Sequence, residues 1–311
     1  MWGVYHLRSL AGAHWGGKCE AEELHRAYLS ACMGVKSTAP TACLMESTGR
    51  TPVWHAWMAR SLGWFNGIAG RRAEDVVRVA MQDSMARSRV TTARAKCSWG
   101  SAMRAALHAV GGAAETWSEQ ARDMQQVPVR AVISRLGERW RQHVWGADLE
   151  PGAPCPVRGV PDSSSRGFKL HTFKHWFHVP FVKGAGFPYC VHSRQRIVAL
   201  ARMSFGAHDL AVEQGRWRGR GPRDARKCEC CDMQTREDEQ HFLLECPAYA
   251  AHRTGCSAFL GAAGLAPLAA MQHLAVGGNS KQHWNDLADF LIRAGAVRRD
   301  FLRSQERQNR G

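Results

Sequence analysis

Residues 228–246 have the sequence Cys-Glu-Cys-Cys-Asp-Met-Gln-Thr-Arg-Glu-Asp-Glu-Gln-His-Phe-Leu-Leu-Glu-Cys, in which the spacing of cysteine and histidine requires a chemical explanation. Two residues separate Cys228 from Cys231, nine separate Cys231 from His241, and four separate His241 from Cys246. Zn²⁺ binds four sulfur or imidazole ligands tetrahedrally, and two cysteines at this spacing reach one ion from a tight turn. The spacing therefore predicts a structural zinc site made by these four residues.

The second half of the motif needs a bend in the backbone. On a continuous α-helix, His241 and Cys246 would lie about 140° apart and could not face one ion. Pro247 marks the bend, because proline suits the first turn of a helix. The sequence thus predicts a helix cap at Cys246, with Tyr249 and Arg253 on the helix behind it.

Other side chains near the motif are alternative ligands. The neighbouring Cys230 and Cys231 do not easily point at one ion, so Cys230 is predicted to be a spare thiol. His252 and Cys256 are the other substitutes. Ordinary burial is the remaining alternative for the cysteines, because free cysteine is among the most buried residue types.

The run from Cys228 to Ala250 resembles the zinc-binding tail that follows the polymerase in reverse transcriptases of non-LTR (LINE-type) retrotransposons. Residues 202–210 and 215–217 are similar to the segment that leads into that tail. A looser likeness to the helical region before the tail extends over Leu24-His25, Gly34-Val35, Thr38 to Pro40, Gly49 to Pro52 and Trp57 to Asn66. The resemblance implies a C-terminal piece of a retroelement protein, in which the zinc-binding tail helps to hold template RNA or target DNA.

Catalytic signatures are missing from the sequence. A polymerase needs carboxylates that hold two Mg²⁺ ions, normally with an Asp-Asp pair, and no such pair occurs. The acidic run Glu237 to Glu239 is predicted to be a solvated turn. Four protein ligands also leave a zinc ion no open position for substrate, and neither a deaminase nor a serine-hydrolase motif is present. We therefore predict a protein that is not an enzyme, with no catalytic residues and no small-molecule substrate.

Charge points to a polyanionic partner. Lys and Arg total 42 against 27 acidic residues, which gives a net charge of +15 and a pI near 9.8. Cations cluster with an indole just before the zinc motif, in a glycine-rich tract predicted to lack a packed element. Phosphate neutralisation and base stacking in this tract predict contacts with RNA or DNA. The predicted contact residues are Arg216, Trp217, Arg218, Arg220, Arg223, Arg226 and Lys227.

Two alternatives to that interpretation stay open. A coding bias toward arginine also makes a chain basic, and Trp217 is equally suited to anchoring the tract on the zinc module. The chain would then be a relic or protein-interaction module with structural zinc and no selected nucleic-acid activity.

Composition and periodicity predict a mainly α-helical protein. The predicted organisation is a helical domain over residues 1–149, a linker over 150–168, and a segment over 169–311 that contains the CCHC module (228–246) and a C-terminal helix. Predicted core stripes include Leu24, Ala27, Tyr28 and Ala31; Trp54, Trp57, Met58, Phe65 and Ile68; Ala73, Val76, Val77 and Ala80; Val129, Val132, Ile133, Leu136 and Trp140; Ile197, Leu200, Ala201 and Phe205; and Trp284, Leu287, Ala288 and Leu291. Thr51 is a predicted helix cap, and Pro52 is the predicted first-turn residue after it.

Cysteine usage and hydropathy predict the compartment. The 11 cysteines are scattered without even spacing, which argues against a disulfide framework and for reducing surroundings. We expect neither a secretion leader nor a membrane-spanning segment, because no basic region precedes an unbroken apolar run at the start and no apolar run reaches about 18 residues. We expect a nuclear or cytoplasmic protein that does not associate with membranes. His171, His175 and His178 share a helical face but are predicted to belong to an aromatic cluster rather than a metal site.

Overall fold

A computed structural model of the chain describes residues 20–36, 39, 41–87, 99–100, 124–145, 187–217, 221–276 and 280–308. The α-helices among them are α1 (Glu20–Met33), α2 (Thr41–Thr48), α3 (Val53–Ala69), α4 (Val76–Arg87), α5 (Val129–Trp145), α6 (Phe187–Cys190), α7 (Arg194–Ser204), α8 (Ala211–Trp217), α9 (Ala250–Thr254), α10 (Ser257–Leu260), α11 (Pro267–Val276) and α12 (Lys281–Gln308). Within these ranges there is no strand, only one antiparallel bridge between Lys227 and Arg236. The prediction of a mainly α protein with a C-terminal helix is confirmed.

The chain divides into two compact units. The first contains the described residues of 1–25 and 51–149, and the second those of 26–50 and 150–311. The predicted linker over 150–168 and the three histidines at 171, 175 and 178 lie outside the described residues. The predicted domain boundaries stay a prediction.

The first unit is built around α3, which packs against α4 and α5. Met58, Leu62 and Phe65 of α3 and Leu136 of α5 are fully buried, because apolar residues recur along these helices at the spacing of one helical face. Asn66 ties α3 to the chain before α5, since its side-chain amide exchanges two hydrogen bonds of 2.8 Å with the backbone of Val127. The core of this unit is thus the seam between α3 and α5.

Three sequence predictions in the N-terminal part of the chain are wrong. The stripe in α1 that begins at Leu24 is exposed, and Leu29 and Met33 are buried instead. The stripe that begins at Ala73 fails in the same way, because Val76 at the start of α4 is 80% exposed. The cap of α3 is Pro52 rather than Thr51, and a carboxylate from α1 replaces a side-chain cap: Oε1 of Glu22 accepts the amide of Trp54 at 3.2 Å.

The second unit is organised by α12, whose inner face carries Trp284, Leu287, Ala288 and Leu291, as the periodicity predicts. The helix α7 packs along it, and Arg196 of α7 donates two hydrogen bonds of 2.8 Å to the carboxylate of Asp289. Phe290 of α12 lies against Phe242, with ring centroids 5.9 Å apart. Residues before and within the Cys/His motif are therefore held against the same long helix.

Hydropathy along the helices gives one further finding. Over the ranges that the structure describes, no helix combines the length and the apolar character that crossing a membrane requires.

Candidate metal centre

Cys228 and Cys231 lie on a short hairpin turn. The Lys227–Arg236 bridge closes the hairpin, and the amide of Cys228 donates to the carbonyl oxygen of Thr235 at 2.9 Å. Gln234 turns the chain back with a left-handed backbone, φ 53°. The Sγ atoms of Cys228 and Cys231 consequently lie within 4.8 Å of each other.

A π-helical turn places the other two donors. His241–Glu245 forms this turn, and the amide of Cys246 donates to the carbonyl oxygen of His241 at 2.7 Å. An i→i+5 bond brings residues five apart to the same side of the helix, whereas an α-helix would separate them. This is the bend that the spacing of His241 and Cys246 requires. Pro247 then begins a 3₁₀ turn that leads into α9, which confirms the predicted helix start behind Cys246.

The four predicted ligands converge on one point. One donor atom from each of Cys228, Cys231, His241 and Cys246 lies within 4.8 Å of all the others. The Sγ atoms of Cys228 and Cys246 are 4.0 Å apart, and Sγ of Cys231 lies 3.4 Å from Nε2 of His241. A tetrahedron with ordinary zinc–ligand distances has edges of about 3.8 Å between two sulfurs and about 3.5 Å between sulfur and nitrogen. The group therefore fits a tetrahedral metal ion.

The ring of His241 is oriented by its other nitrogen. Nδ1 lies 3.0 Å from Oγ1 of Thr235 and 3.5 Å from a carboxylate oxygen of Glu245. A proton on Nδ1 satisfies these acceptors and leaves the lone pair of Nε2 directed at the cysteines. Such outer partners fix the tautomer of metal-binding histidines and raise their basicity.

Two thiols of the cluster, those of Cys228 and Cys246, have raised pKa values. Burial raises the pKa of Cys246 to about 11. The pKa of Cys228 is raised by its hydrogen bond with Cys230 and by burial. Metal binding must displace these protons, so the cluster suits an ion with a strong preference for thiolate.

The acidic run Glu237, Asp238 and Glu239 is buried, and the prediction of a solvated turn is wrong. Glu237 accepts two hydrogen bonds from Arg298 of α12, at 2.6 and 2.7 Å. Asp238 accepts the amide of His241 at 3.0 Å. Hydrogen bonds and ion pairs within the protein compensate these carboxylates, which is why an acidic run can lie inside it.

The third carboxylate forms a buried ion pair. Nε2 of His208 lies 3.0 Å from Oε1 of Glu239, and the two side chains are 7% and 1% exposed. Burial raises the pKa of Glu239, but the hydrogen bond and charge of His208 outweigh it and hold that pKa at about 2. Burial lowers the pKa of His208, and the hydrogen bond and charge of Glu239 raise it above its ordinary value.

The basic tract has a different local structure from the predicted one. Gly215 to Trp217 form the last turn of α8, so the prediction that no packed element forms there is wrong for these residues. Gly215 is buried beneath Arg226, and a Cβ built on it would lie 2.5 Å from Cδ of that arginine. The missing side chain of glycine is what lets Arg226 lie across the helix.

The predicted nucleic-acid contacts occupy several environments. Four of the predicted contacts lie outside what the structure describes: the side chains of Arg216 and Trp217, and the residues Arg218 and Arg220. Arg226 donates to the carbonyl oxygens of Val212 and Gly221, and Arg223 lies 3.7 Å from Glu239. Lys227 is exposed. Of the three predicted contacts whose side chains the structure describes, two thus have intramolecular partners.

Cys230 belongs to a second group of donors. It is half-buried, and its sulfur lies within 4.8 Å of donor atoms of Cys228 and Glu237. The predicted substitutes His252 and Cys256 belong to neither donor group. The ligand set chosen from spacing is therefore the one that the fold brings together. The sequence did not identify Glu237 as a donor, because it belongs to an acidic run that was predicted to be a solvated turn.

Comparison with known proteins adds no relative. Neither the protein-family models, nor the curated proteins, nor the solved structures contain a match to this chain.

Proposed function

We propose that this chain is a non-catalytic, zinc-dependent nucleic-acid-binding segment, derived from the region behind the polymerase of a non-LTR retrotransposon reverse transcriptase. The observation that carries the proposal is the convergence of three thiols and an imidazole at zinc-like distances directly after a basic tract. Three sulfurs and one nitrogen in a tetrahedron are the donor set of structural zinc.

A structural rather than catalytic ion is supported by burial and ligand number. Cys228, His241 and Cys246 are 4%, 1% and 0% exposed, and four protein donors leave no coordination position for water or substrate. The ion would connect the hairpin to the π turn and so hold the end of the basic tract in place. Its contribution is to folding, and the binding of phosphate is left to the cations.

Nucleic acid as the partner is supported by charge. The chain carries a net +15, and the zinc motif follows immediately after the basic tract. Cations that neutralise phosphates release condensed counterions, so affinity should fall steeply as salt increases. An indole among them offers a stacking surface that tolerates any base sequence.

The test is a salt titration of binding, with labelled single-stranded RNA and duplex DNA as probes. We expect Arg216→Ala with Trp217→Ala to weaken binding by about tenfold or more at moderate salt. The matched control is Arg130→Ala with Tyr28→Ala, which removes the same charge and one exposed aromatic ring elsewhere. Equal losses in the two double variants, or binding that survives zinc chelation unchanged, would refute the proposal.

One observation favours the alternative of a relic or protein-interaction module with structural zinc. Arg223 and Arg226 are engaged within the protein, which reduces the cations directed at solvent. Under this alternative, binding reflects net charge alone and the two double variants behave alike. Zinc would still be retained in both cases, so metal content does not distinguish the candidates, whereas the paired variants do.

A further inference from the structure

The spare thiol of the Cys/His motif is not isolated. Cys228, Cys230 and Glu237 bring two sulfurs and a carboxylate oxygen within 4.8 Å of one another, and Cys228 also belongs to the tetrahedral group. The geometry points to a second metal position beside the first, held by Cys230 and Glu237 and sharing the sulfur of Cys228. Its ion would be a thiophilic divalent cation such as Zn²⁺ or Cd²⁺.

Glu237 has capacity for such an ion. An ionised carboxylate offers about four lone-pair directions. Arg298 donates one hydrogen bond to each oxygen, at 2.6 and 2.7 Å. The amide of Ala211 donates a second hydrogen bond to Oε2, at 2.6 Å. Oε1 therefore keeps one acceptor direction, and the metal need not displace Arg298.

Formal charge favours the second ion. With one divalent ion on the thiolates of Cys228, Cys231 and Cys246, and with Glu237 and Arg298 balancing each other, the site carries one net negative charge. A second divalent ion, bound together with the thiolate of Cys230, brings the site to neutrality. Burial makes residual charge expensive, so a neutral arrangement is the more stable one in this environment.

The second position differs from the first in ligand number. Three protein donors leave a coordination position open, whereas the tetrahedral group is complete. Cys230 is also half-buried, while Cys228 and Glu237 are buried, so Cys230 is the ligand of this position that solvent reaches. We expect the second ion to bind about tenfold or more weakly than the first and to exchange readily. This inference is independent of nucleic-acid binding.

The experiment counts metal on the full chain. Reduced protein is titrated with Cd²⁺, thiolate-to-cadmium charge-transfer absorbance is followed, and bound metal is measured by elemental analysis after equilibrium dialysis. The expected result is about two ions per chain, with the second released first by a weak chelator. Cys230→Ser should retain only the tight ion and lose about a quarter of the absorbance, because three of the four site thiolates remain.

The control is Cys190→Ser, which removes another half-buried thiol that belongs to neither donor group and should leave two ions. One ion per chain in the wild type at Cd²⁺ excess would overturn the inference. Loss of both ions in Cys230→Ser would also overturn it, since Cys230 would then be a ligand of the tetrahedral position. Repeating the count with Zn²⁺ separates a site for both metals from one that accepts only the larger ion.

Discussion

Arg298 and Glu237 form a buried, two-point ion pair between α12 and the metal-site hairpin. Nε lies 2.6 Å from Oε1 and Nη2 lies 2.7 Å from Oε2, and the side chains are 9% and 1% exposed. Glu237 also accepts the amide of Ala211, at the start of α8. One carboxylate therefore connects the hairpin, the helix that enters the basic tract and the C-terminal helix.

Removing one partner of this pair should be costly. Arg298→Met leaves the charge of Glu237 buried and unpaired, so we expect the free energy of unfolding to fall by about 3–5 kcal/mol. Urea unfolding followed by circular dichroism measures the loss. Arg303→Met is the control, because Arg303 is 67% exposed and its contact with Asp300 is a surface pair worth at most about 1 kcal/mol. Equal losses in the two variants would contradict a structural role for Arg298.

Most of the described helices could be predicted from the sequence, but the face that each helix buries could not always be predicted. In α1, Leu24 and Tyr28 lie on one helical face, and Leu29 and Met33 lie on a neighbouring face. Only the second face is buried. Hydrophobic periodicity identifies a helix, but the choice between adjacent faces depends on partners distant in the chain. In α12 one face is far more apolar than the others, so the prediction there was correct.

Gly215 is needed because Arg226 crosses it. In Gly215→Ala, the new Cβ would lie 2.5 Å from Cδ and 2.6 Å from Nε of Arg226, closer than atoms can approach. The arginine must move and give up hydrogen bonds to Val212 and Gly221, for which we expect a loss of about 1–3 kcal/mol. Thermal unfolding measures it. Gly255→Ala is the comparison, because a Cβ there meets no atom within 4 Å; a similar effect in both variants would exclude the contact as the cause.

The ligands of the metal centre could be predicted from the sequence, but the backbone conformation and the distant contacts that bring them together could not. Spacing alone selects Cys228, Cys231, His241 and Cys246, because tetrahedral zinc accepts few arrangements of thiol and imidazole. The π turn is a rare conformation with no sequence signature of its own. The partner of Glu237 lies 61 residues away, so the acidic run looked solvent-exposed from local sequence.

Loss of one tetrahedral ligand should remove both the tight ion and the local fold. In Cys246→Ser we expect zinc to be lost on dialysis and residues 226–254 to lose protection from amide exchange, because zinc binding in small modules supplies about 10–16 kcal/mol at neutral pH. Elemental analysis and hydrogen exchange by mass spectrometry measure the two effects. Cys256→Ser, a buried cysteine outside both donor groups, is the control. Retention of the tight ion in Cys246→Ser would remove Cys246 from the ligand set.

The His208–Glu239 pair should stabilise the protein only within a pH window. The pKa of Glu239 is about 2 in the folded protein against an ordinary 4.5, so its contribution is complete above pH 4.5 and is lost as pH falls toward 2. The pKa of His208 is raised above 6.5, so the histidine contribution is complete below pH 6.5 and is lost as pH rises through the raised value. Both contributions describe one ion pair and are counted once.

His208→Gln is the variant that tests this window. The difference in free energy of unfolding between wild type and variant should be largest between pH 4.5 and 6.5, at about 2–3 kcal/mol, and should shrink on either side. Measuring the difference at each pH cancels the acid release of metal, which affects both proteins alike. Glu213 and Asp209 also raise the pKa of His208, so the difference measured with His208→Gln includes their smaller contributions as well as that of Glu239. The control is His192→Gln, which removes an exposed histidine. A difference for His208→Gln that does not change with pH would contradict an ionised pair at this position.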